Sequence, residues 1–237
     1  MRILAFESSA KAASVALMAD GRLLAEAFQN TGLTHSRTLL SMAEDLLKTC
    51  ELTVKDVDAV AVAKGPGSFT GLRIGVAAAK GFAWGRQIPV VGVSTLEGMA
   101  RNAGLFTGTI VACMDARRQQ VYNALFSAKD GAITRLTEDR AISLDDLWQE
   151  LSSLEGTILL LGDGAELCNK AYEGRGKEIL LAPEHFRHQR ATGIALLAGE
   201  QLLAGLTEDN FELAPNYLRL SQAERERAEK LKEKGEV

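Results

Sequence analysis

The chain has 237 residues, of which 46% are hydrophobic and 24% charged, with a formal net charge of −4. This composition is typical of a globular protein and excludes a disordered or collagen-like chain. No apolar run approaches the ~20 residues that span a membrane. The acidic balance argues against a protein that grips nucleic acid alone, because such proteins usually carry a basic face.

The start of the sequence and the cysteines indicate a cytoplasmic protein. MRILAFESSA lacks the long apolar stretch of a signal peptide. Cys50, Cys113 and Cys168 form no CxxC pair and are predicted to be buried thiols in a reducing compartment. The most basic short run, RHQR at residues 187–190, is predicted to be a solvated surface turn.

The first half of the chain predicts strands and helices that begin with a hairpin. Asp20-Gly21 stands between two apolar runs, which is a strong signal for a type I′ turn. VDAVAVA is a continuous apolar run, typical of a strand buried on both faces of a sheet. Ser94 and Glu97 form a plausible capping box for a helix. Strands are predicted at residues 2–7, 13–19, 22–28, 57–63 and 89–94, and helices at 35–49, 70–86 and 95–102.

The second half repeats this pattern more loosely and predicts a duplicated α/β fold. TIVACMDA and VYNALFSA form a second hairpin, and Asp130-Gly131 marks another turn. Residues 221–237 differ in character, because their charges and few apolar positions predict a solvated terminal helix. Further helices are predicted at residues 143–152, from 164, and at 191–205, with a strand at 157–162.

The loop KGPGSFTGLRIGV, residues 64–76, lacks a known phosphate-binding pattern. A P-loop needs Lys after its last glycine, where this chain has Leu72 after Gly71, and the spacing G-x-G-x-x-G is also absent. Its glycines, its free amides at a helix start and its hydroxyls still permit an anion site. Ser68 and Thr70 are equally good helix caps, and the structural interpretation is favoured.

The helix after this loop has no polar face. A helix that packs one side on a sheet should show polar residues opposite, so this helix is predicted to be covered on two sides. Small residues recur at four-residue spacing in two stripes, which allows a second helix to approach. The cover is either the protein's own chain or a protein partner. One stripe is Gly71, Gly75 and Ala79, and the other is Ala77, Gly81 and Gly85.

Five stretches together closely resemble the bacterial TsaB family, also called YeaZ. They are ILAFESS, THSRTLL, KGPGSFTGLRIG, MDARRQQVY and PNYLR, and the match runs from residue 1 to about 220. GPGSFTGLRIG is highly specific to that family. The resemblance implies an α/β fold of the actin-like ATPase superfamily, with two RNase H-like subdomains whose mixed sheets are flanked by helices. The subdomains are expected at residues 1–102 and 103–220, followed by the charged tail at 221–237.

The resemblance also implies a role in tRNA modification. TsaB is paralogous to TsaD, which transfers a threonylcarbamoyl group to the adenine next to the anticodon. TsaB is implied to be a non-catalytic partner of TsaD, homodimeric when isolated, with the ATPase TsaE joining the complex and tRNA bound through the complex. No cofactor is expected. The implied interface residues are His35, Thr38, Met42, Leu46, Gly71, Ile74, Gly75, Ala78, Gly81 and Phe82.

The family's catalytic features are incomplete in this chain. TsaD binds metal partly through an H-x-x-x-H pair, where this chain has His35 and then Leu39, so no metal site is expected. The stretches that match the phosphate loops lack glycine. Residual nucleotide binding is conceivable, and ATP turnover is not expected. The weak candidates for nucleotide contact are Glu7, Ser8, Ser9, Asp115 and Arg117, and the turn at residues 162–164 is interpreted as a strand-to-helix connection.

Two other functions stay open from the sequence. The protein could be an enzyme, either a kinase of small molecules or a metallopeptidase, which requires affinity for ATP or metal. It could also be a self-associating regulator, because a small apolar face can form a symmetric dimer.

Overall fold

The first half of the molecule is built on a five-stranded mixed sheet. We describe residues 1–207 and 212–219 from a computed structural model. The sheet order is β3-β2-β1-β4-β5; the β1–β2 and β2–β3 pairs are antiparallel, and the β1–β4 and β4–β5 pairs are parallel. The strands are β1 (Arg2–Glu7), β2 (Ala13–Ala19), β3 (Arg22–Gln29), β4 (Ala59–Gly65) and β5 (Val90–Ser94).

The second half repeats this topology. Its sheet order is β11-β10-β6-β7-β8, and β9 also pairs with β7. As in the first sheet, two neighbouring pairs are antiparallel (β6–β7 and β7–β8) and two are parallel (β6–β10 and β10–β11). The predicted duplication and the predicted fold class of two RNase H-like halves are confirmed. The strands are β6 (Gly108–Arg117), β7 (Gln120–Lys129), β8 (Ala132–Arg135), β9 (Arg140–Ser143), β10 (Ile158–Leu161) and β11 (Ile179–Leu181).

Helices cover both sheets. In the described ranges, none of them is long and apolar enough to cross a membrane. One 3₁₀ turn spans Val54–Asp56. The helices are α1 (His35–Thr49), α2 (Phe69–Arg86), α3 (Thr95–Asn102), α4 (Leu144–Ser153), α5 (Ala165–Tyr172), α6 (Glu184–Arg187) and α7 (Ala191–Leu203).

The first sheet is buried on both faces, as the apolar run in β4 predicts. Helices α1 and α2 pack on one face around Phe6 and Val62. Helix α7 packs on the other face through Ile194, although it follows the second sheet in the chain. The last helix is therefore part of the core of the first sheet, and it brings residues 191–203 back across the molecule.

Local signals in the sequence are largely confirmed. Asp20 and Gly21 have φ values of 48° and 77°, the left-handed pair that a type I′ turn requires. Ser94 caps α3 by accepting from the Glu97 amide at 3.2 Å. The capping box also predicts that the Glu97 carboxylate accepts from the Ser94 amide. That part of the prediction is wrong, because the Glu97 carboxylate accepts from the Arg135 guanidinium at 2.7 Å. The predicted helix at 221–237 lies outside the described residues.

The RHQR run is not a solvated turn, and that prediction is wrong. Arg187 is buried and donates to Glu166 and to the carbonyl of Ala182. Arg190 donates at 2.8 Å to Glu26, which lies in β3 of the first sheet. The arginines of this run are held by acidic partners, and the run joins the two halves.

Candidate functional site

The loop that precedes α2 is packed against the turn between β1 and β2. A Cβ atom on Gly67 would lie 2.4 Å from the Ser9 carbonyl oxygen, and one on Gly71 would lie 2.0 Å from the Ser8 carbonyl oxygen. The Ser68 amide donates to the Ser9 carbonyl at 2.6 Å, and the Ser8 hydroxyl donates to the Gly71 carbonyl at 2.9 Å. The glycines therefore permit a close backbone approach within the chain, which is the structural interpretation of this loop.

Three residues of the implied interface, Gly71, Gly75 and Leu46, are buried in the isolated chain. A Cβ on Gly75 would lie 2.4 Å from the Ser8 hydroxyl oxygen, and Gly71 packs on the same turn. Leu46 belongs to the core of the first sheet. The expectation that Gly71, Gly75 and Leu46 are available to a partner is therefore corrected, because this chain already covers all three.

The second stripe of α2 faces outward. Ala77, Gly81, Trp84 and Gly85 are exposed, and we call these four residues the outer face of α2. Trp84 is 68% exposed. In the part of the chain that the structure describes, no atom lies within 4 Å of a Cβ placed on Gly81 or Gly85. Of the residues implied for the interface, Gly81 lies on this face, and the half-buried Ile74, Ala78 and Phe82 lie at its margin.

Helix α1 contributes half-buried residues beside α2. His35 Nε2 donates to the Ala10 carbonyl at 2.7 Å, and its ring lies against Gly71. Leu39, at the position where TsaD has its second histidine, is buried in the core. Thr38 and Met42 are half-buried on the same helix. His35 thus ties the β1–β2 turn to both helices, and the described residues contain no cluster of three acidic, histidine or cysteine side chains that could hold a metal ion.

Residues 212–219, which we call the C-terminal strap, cover another part of α2. Lys80 Nζ donates to the Leu213 carbonyl at 3.1 Å, and Leu213 is buried. The Tyr217 ring stacks on Phe69 with 4.4 Å between ring centroids, and Arg73 donates to the Tyr217 hydroxyl at 3.0 Å. Part of the cover that the sequence predicted for α2 is therefore supplied by its own chain.

A cleft of about 510 Å³ lies between the two halves and the strap. Of the candidate nucleotide contacts, Ser9, Asp115 and Arg117 line it, whereas Glu7 and Ser8 do not. Asp115 is already engaged, because its carboxylate accepts from the Arg117 amide at 2.7 Å and from the Arg117 guanidinium at 3.1 Å. Ser9 lines the cleft, but its side chain is buried and its amide donates to the Glu7 carboxylate.

Two acidic residues with raised pKa values lie at the cleft: Asp163 lines it, and Glu7 is buried behind Ser9, which also lines it. Glu7 is buried, and one of its carboxylate oxygens accepts from the Ser9 amide at 2.6 Å. Burial raises the pKa of Glu7 from 4.5 to about 7, with a smaller contribution from the negative charge of Asp163. Burial also raises the pKa of Asp163, which accepts from Gln189 at 2.7 Å. Both carboxyl groups are therefore more easily protonated than exposed ones.

Glu7 is expected to make the protein less stable as pH rises from about 4.5 to about 7. In that range the folded state binds more protons than the unfolded state, so stability falls by at most about 3 kcal/mol. Glu7→Gln keeps the acceptor for Ser9 and carries no charge. We expect this variant to be more stable than the parent at pH 8 and equal to it near pH 4, measured by urea unfolding. A constant difference between the two proteins across this range would contradict the assignment.

The sequence alone did not identify several of these residues. Trp84 was missed, although it lies on the same helical face as Ala77 and Gly81. The position of PNYLR at the cleft was also missed, because a short extended segment has no periodicity that shows what it packs against. Tyr217 and Arg219 reach the cleft only through this long-range docking.

Comparisons with known proteins agree with this architecture. Residues 29–227 match the family model described as TsaD, tRNA N6-adenosine threonylcarbamoyltransferase. The tRNA threonylcarbamoyladenosine biosynthesis protein TsaB of Bacillus subtilis is 35% identical over 94% of this chain and 96% of its own length. TsaB of Escherichia coli is 35% identical over 90% of this chain and 86% of its own length.

A solved structure has the same fold over most of the chain. YeaZ from Pseudomonas aeruginosa superposes with a TM-score of 0.75 at 26% identity, over 92% of this chain and 99% of its own. The identity to the two TsaB proteins extends over nearly the whole sequence and includes both halves of the cleft. The chain belongs to the TsaB (YeaZ) family.

Proposed function

We propose that this protein is a non-catalytic subunit of the machinery that forms threonylcarbamoyladenosine in tRNA. In this role it binds a TsaD-type catalytic subunit and supports the transfer of the threonylcarbamoyl group to the adenine next to the anticodon. Its membership of the TsaB family supports the pathway, since its relatives are named as tRNA threonylcarbamoyladenosine biosynthesis proteins. The observation that carries the proposed partner contact is the outer face of α2.

Gly81 and Gly85 weaken α2 without serving the packing of the described part of this chain. A glycine inside a helix costs about 0.8–1.0 kcal/mol relative to alanine. Among residues 1–207 and 212–219, no atom lies within 4 Å of a Cβ at either position, so neither glycine is needed for a close approach in the described structure. Glycines at these positions are explained if another protein approaches the helix there.

The composition of the outer face fits a partner helix. Two helices pack at 8–10 Å between axes, and the distance depends on the side chains at the contact. Ala77, Gly81 and Gly85, at four-residue spacing, permit the short end of that range. Trp84 beside them is 68% exposed, and tryptophan is among the residues that contribute most to protein interfaces. A helix of a TsaD-type subunit is the partner that we infer for this face.

The same face explains the other associations that we propose. The isolated protein forms a homodimer through it, and a TsaD-type subunit displaces the second copy. A TsaE-type ATPase joins the complex afterwards, and tRNA is bound by the complex in the cytoplasm. A regulator that only associates with itself is the alternative, and it differs from this account by forming no heterodimer.

An enzyme with its own activity is the second candidate, because a polar cleft lies between the halves. We expect calorimetric titration of the protein with Mg-ATP, and separately with zinc, to give no saturable heat. The reason is that Ser8 is bonded to Gly71, Asp115 is paired with Arg117, and His35 donates to a carbonyl. Saturable heat with Mg-ATP would favour a kinase, and saturable heat with zinc would favour a metallopeptidase.

A further inference from the structure

Three cations line the cleft and two more lie beside it, in a protein whose net charge is −4. We call these residues the cationic rim. Lys11, Arg117 and Arg219 line the cleft, Arg118 is exposed next to Arg117, and Arg73 bonds Tyr217 at the edge. Positive charge from both halves and from the strap is therefore concentrated at one place.

Two carboxylates, Asp115 and Asp163, line the same cleft, so five cations face two acidic residues and the rim is only partly neutralised. Asp115 pairs with Arg117 at 3.1 Å, and within the described residues this is the only ion pair that a rim cation makes with a carboxylate. Arg219 is held by the carbonyl of Ala116 at 2.6 Å, and Arg73 by the hydroxyl of Tyr217. The rim therefore keeps a positive charge that is available to an anionic partner.

The β6–β7 turn, which carries Arg117 and Arg118, has a backbone conformation that is unfavourable for these residue types. Arg117, Arg118 and Gln119 have φ values of 65°, 56° and 58°, all in the left-handed region. This conformation costs roughly 1–2 kcal/mol per residue for most L-amino acids, and asparagine or glycine adopts it more readily. The backbone conformation of the turn therefore does not favour arginine at positions 117 and 118. Both side chains are exposed and do not pack in the core.

An aromatic surface lies beside the rim. Tyr217 stacks on Phe69 and remains 37% exposed, and the Arg73 guanidinium lies 3.8 Å from the centre of the Phe69 ring. Proteins bind single-stranded RNA by combining basic residues that contact phosphates with aromatic rings on which unpaired bases stack. The rim and Tyr217 place both elements at one cleft mouth.

We propose that the cationic rim and Tyr217 form a contact surface for single-stranded RNA. Arg117 and Arg118 contact phosphates, and an unstacked base lies on the exposed face of Tyr217. This inference rests on the proposed function, in which the RNA is the anticodon loop of the tRNA being modified. Five cations are few for tight binding by this chain alone, so the surface acts together with the catalytic subunit.

The test is RNA binding by the heterodimer of this protein with its TsaD-type partner. A fluorescein-labelled anticodon stem-loop RNA is titrated and followed by anisotropy at several salt concentrations. The double variant Arg117→Asn, Arg118→Asn removes two charges and suits the left-handed turn, so it should fold. We expect about tenfold weaker binding near 0.15 M salt, and a slope of log Kd against log salt that is smaller by about 1.4.

The matched control removes two exposed cations elsewhere. Lys129 lies at the far end of β7 and Arg22 lies in β3, so Lys129→Asn, Arg22→Asn should bind RNA like the parent. Equal affinity and slope in both double variants would overturn the RNA contact, even if the heterodimer forms. Loss of the heterodimer in the arginine variant would show a protein contact instead. A parent heterodimer that binds no RNA would also overturn the inference without affecting the subunit association.

Discussion

Gly81→Arg is expected to abolish association with a TsaD-type partner while leaving the fold intact. The arginine has open space around it, since no atom of the described residues lies within 4 Å of a Cβ at this position. Arginine is also a better helix former than glycine. At a close helix contact the same side chain cannot fit, and we expect affinity to fall by more than about 100-fold, as at an interface hot spot. Light scattering on a gel-filtration column measures the complex, and thermal melting measures the fold.

The control places an arginine on an exposed helix away from the outer face of α2. Gln149 is exposed on α4 in the second half, so Gln149→Arg should still bind the partner. Gly81→Ala, which adds only one methyl group, should retain more binding than Gly81→Arg. If Gly81→Arg binds like the parent protein, the interface lies on another surface.

Gly71→Ala is expected to destabilise the protein by about 3 kcal/mol or more, the range of strong steric conflict in a packed interior. The added Cβ would lie 2.0 Å from the Ser8 carbonyl oxygen, a backbone atom that cannot move without displacing the β1–β2 turn. Ser8 also donates to the Gly71 carbonyl, so the displacement would break a buried hydrogen bond. Urea unfolding of the purified variant measures this loss.

The same substitution ten positions along the same helix should have the opposite sign. The methyl group of Gly81→Ala meets no atom of the described ranges and the variant gains helix propensity, so we expect it to stabilise the protein by up to about 1 kcal/mol. Comparing the two variants separates the packing effect from the propensity effect. Equal unfolding free energies for the Gly71 and Gly81 variants would contradict the packing that we describe for the loop before α2.

The sequence predicted the elements and the duplication well, because their signals are local. Period-2 and period-3.6 hydrophobic patterns located α1 at residues 35–49 as observed, and Asp20-Gly21 identified the first hairpin. The two halves each begin with such a hairpin, and that order was readable from the chain. Helix α7 was also predicted, but its packing on the first sheet was not, since periodicity does not identify the partner of an apolar face.

The candidate site was predicted less well, because its residues meet through long-range packing. Periodicity separated the stripe of Gly71 and Gly75 from that of Gly81 and Gly85. It could not tell which stripe faces the Ser8 turn, and the implied interface therefore mixed both. The strap reaches the cleft from the end of the chain, so the contact between Tyr217 and Phe69 has no local signal in the sequence.

The association of this protein with a TsaD-type catalytic subunit can be measured directly. The most direct measurement is light scattering on a gel-filtration column, with the protein alone and then mixed with the TsaD-type protein of the same cell. We expect a new peak at the summed mass of the partner and one 25.5 kDa chain, or at a simple multiple of that sum. Two proteins that elute at their separate masses, across a range of salt and with or without Mg-ATP, would contradict it.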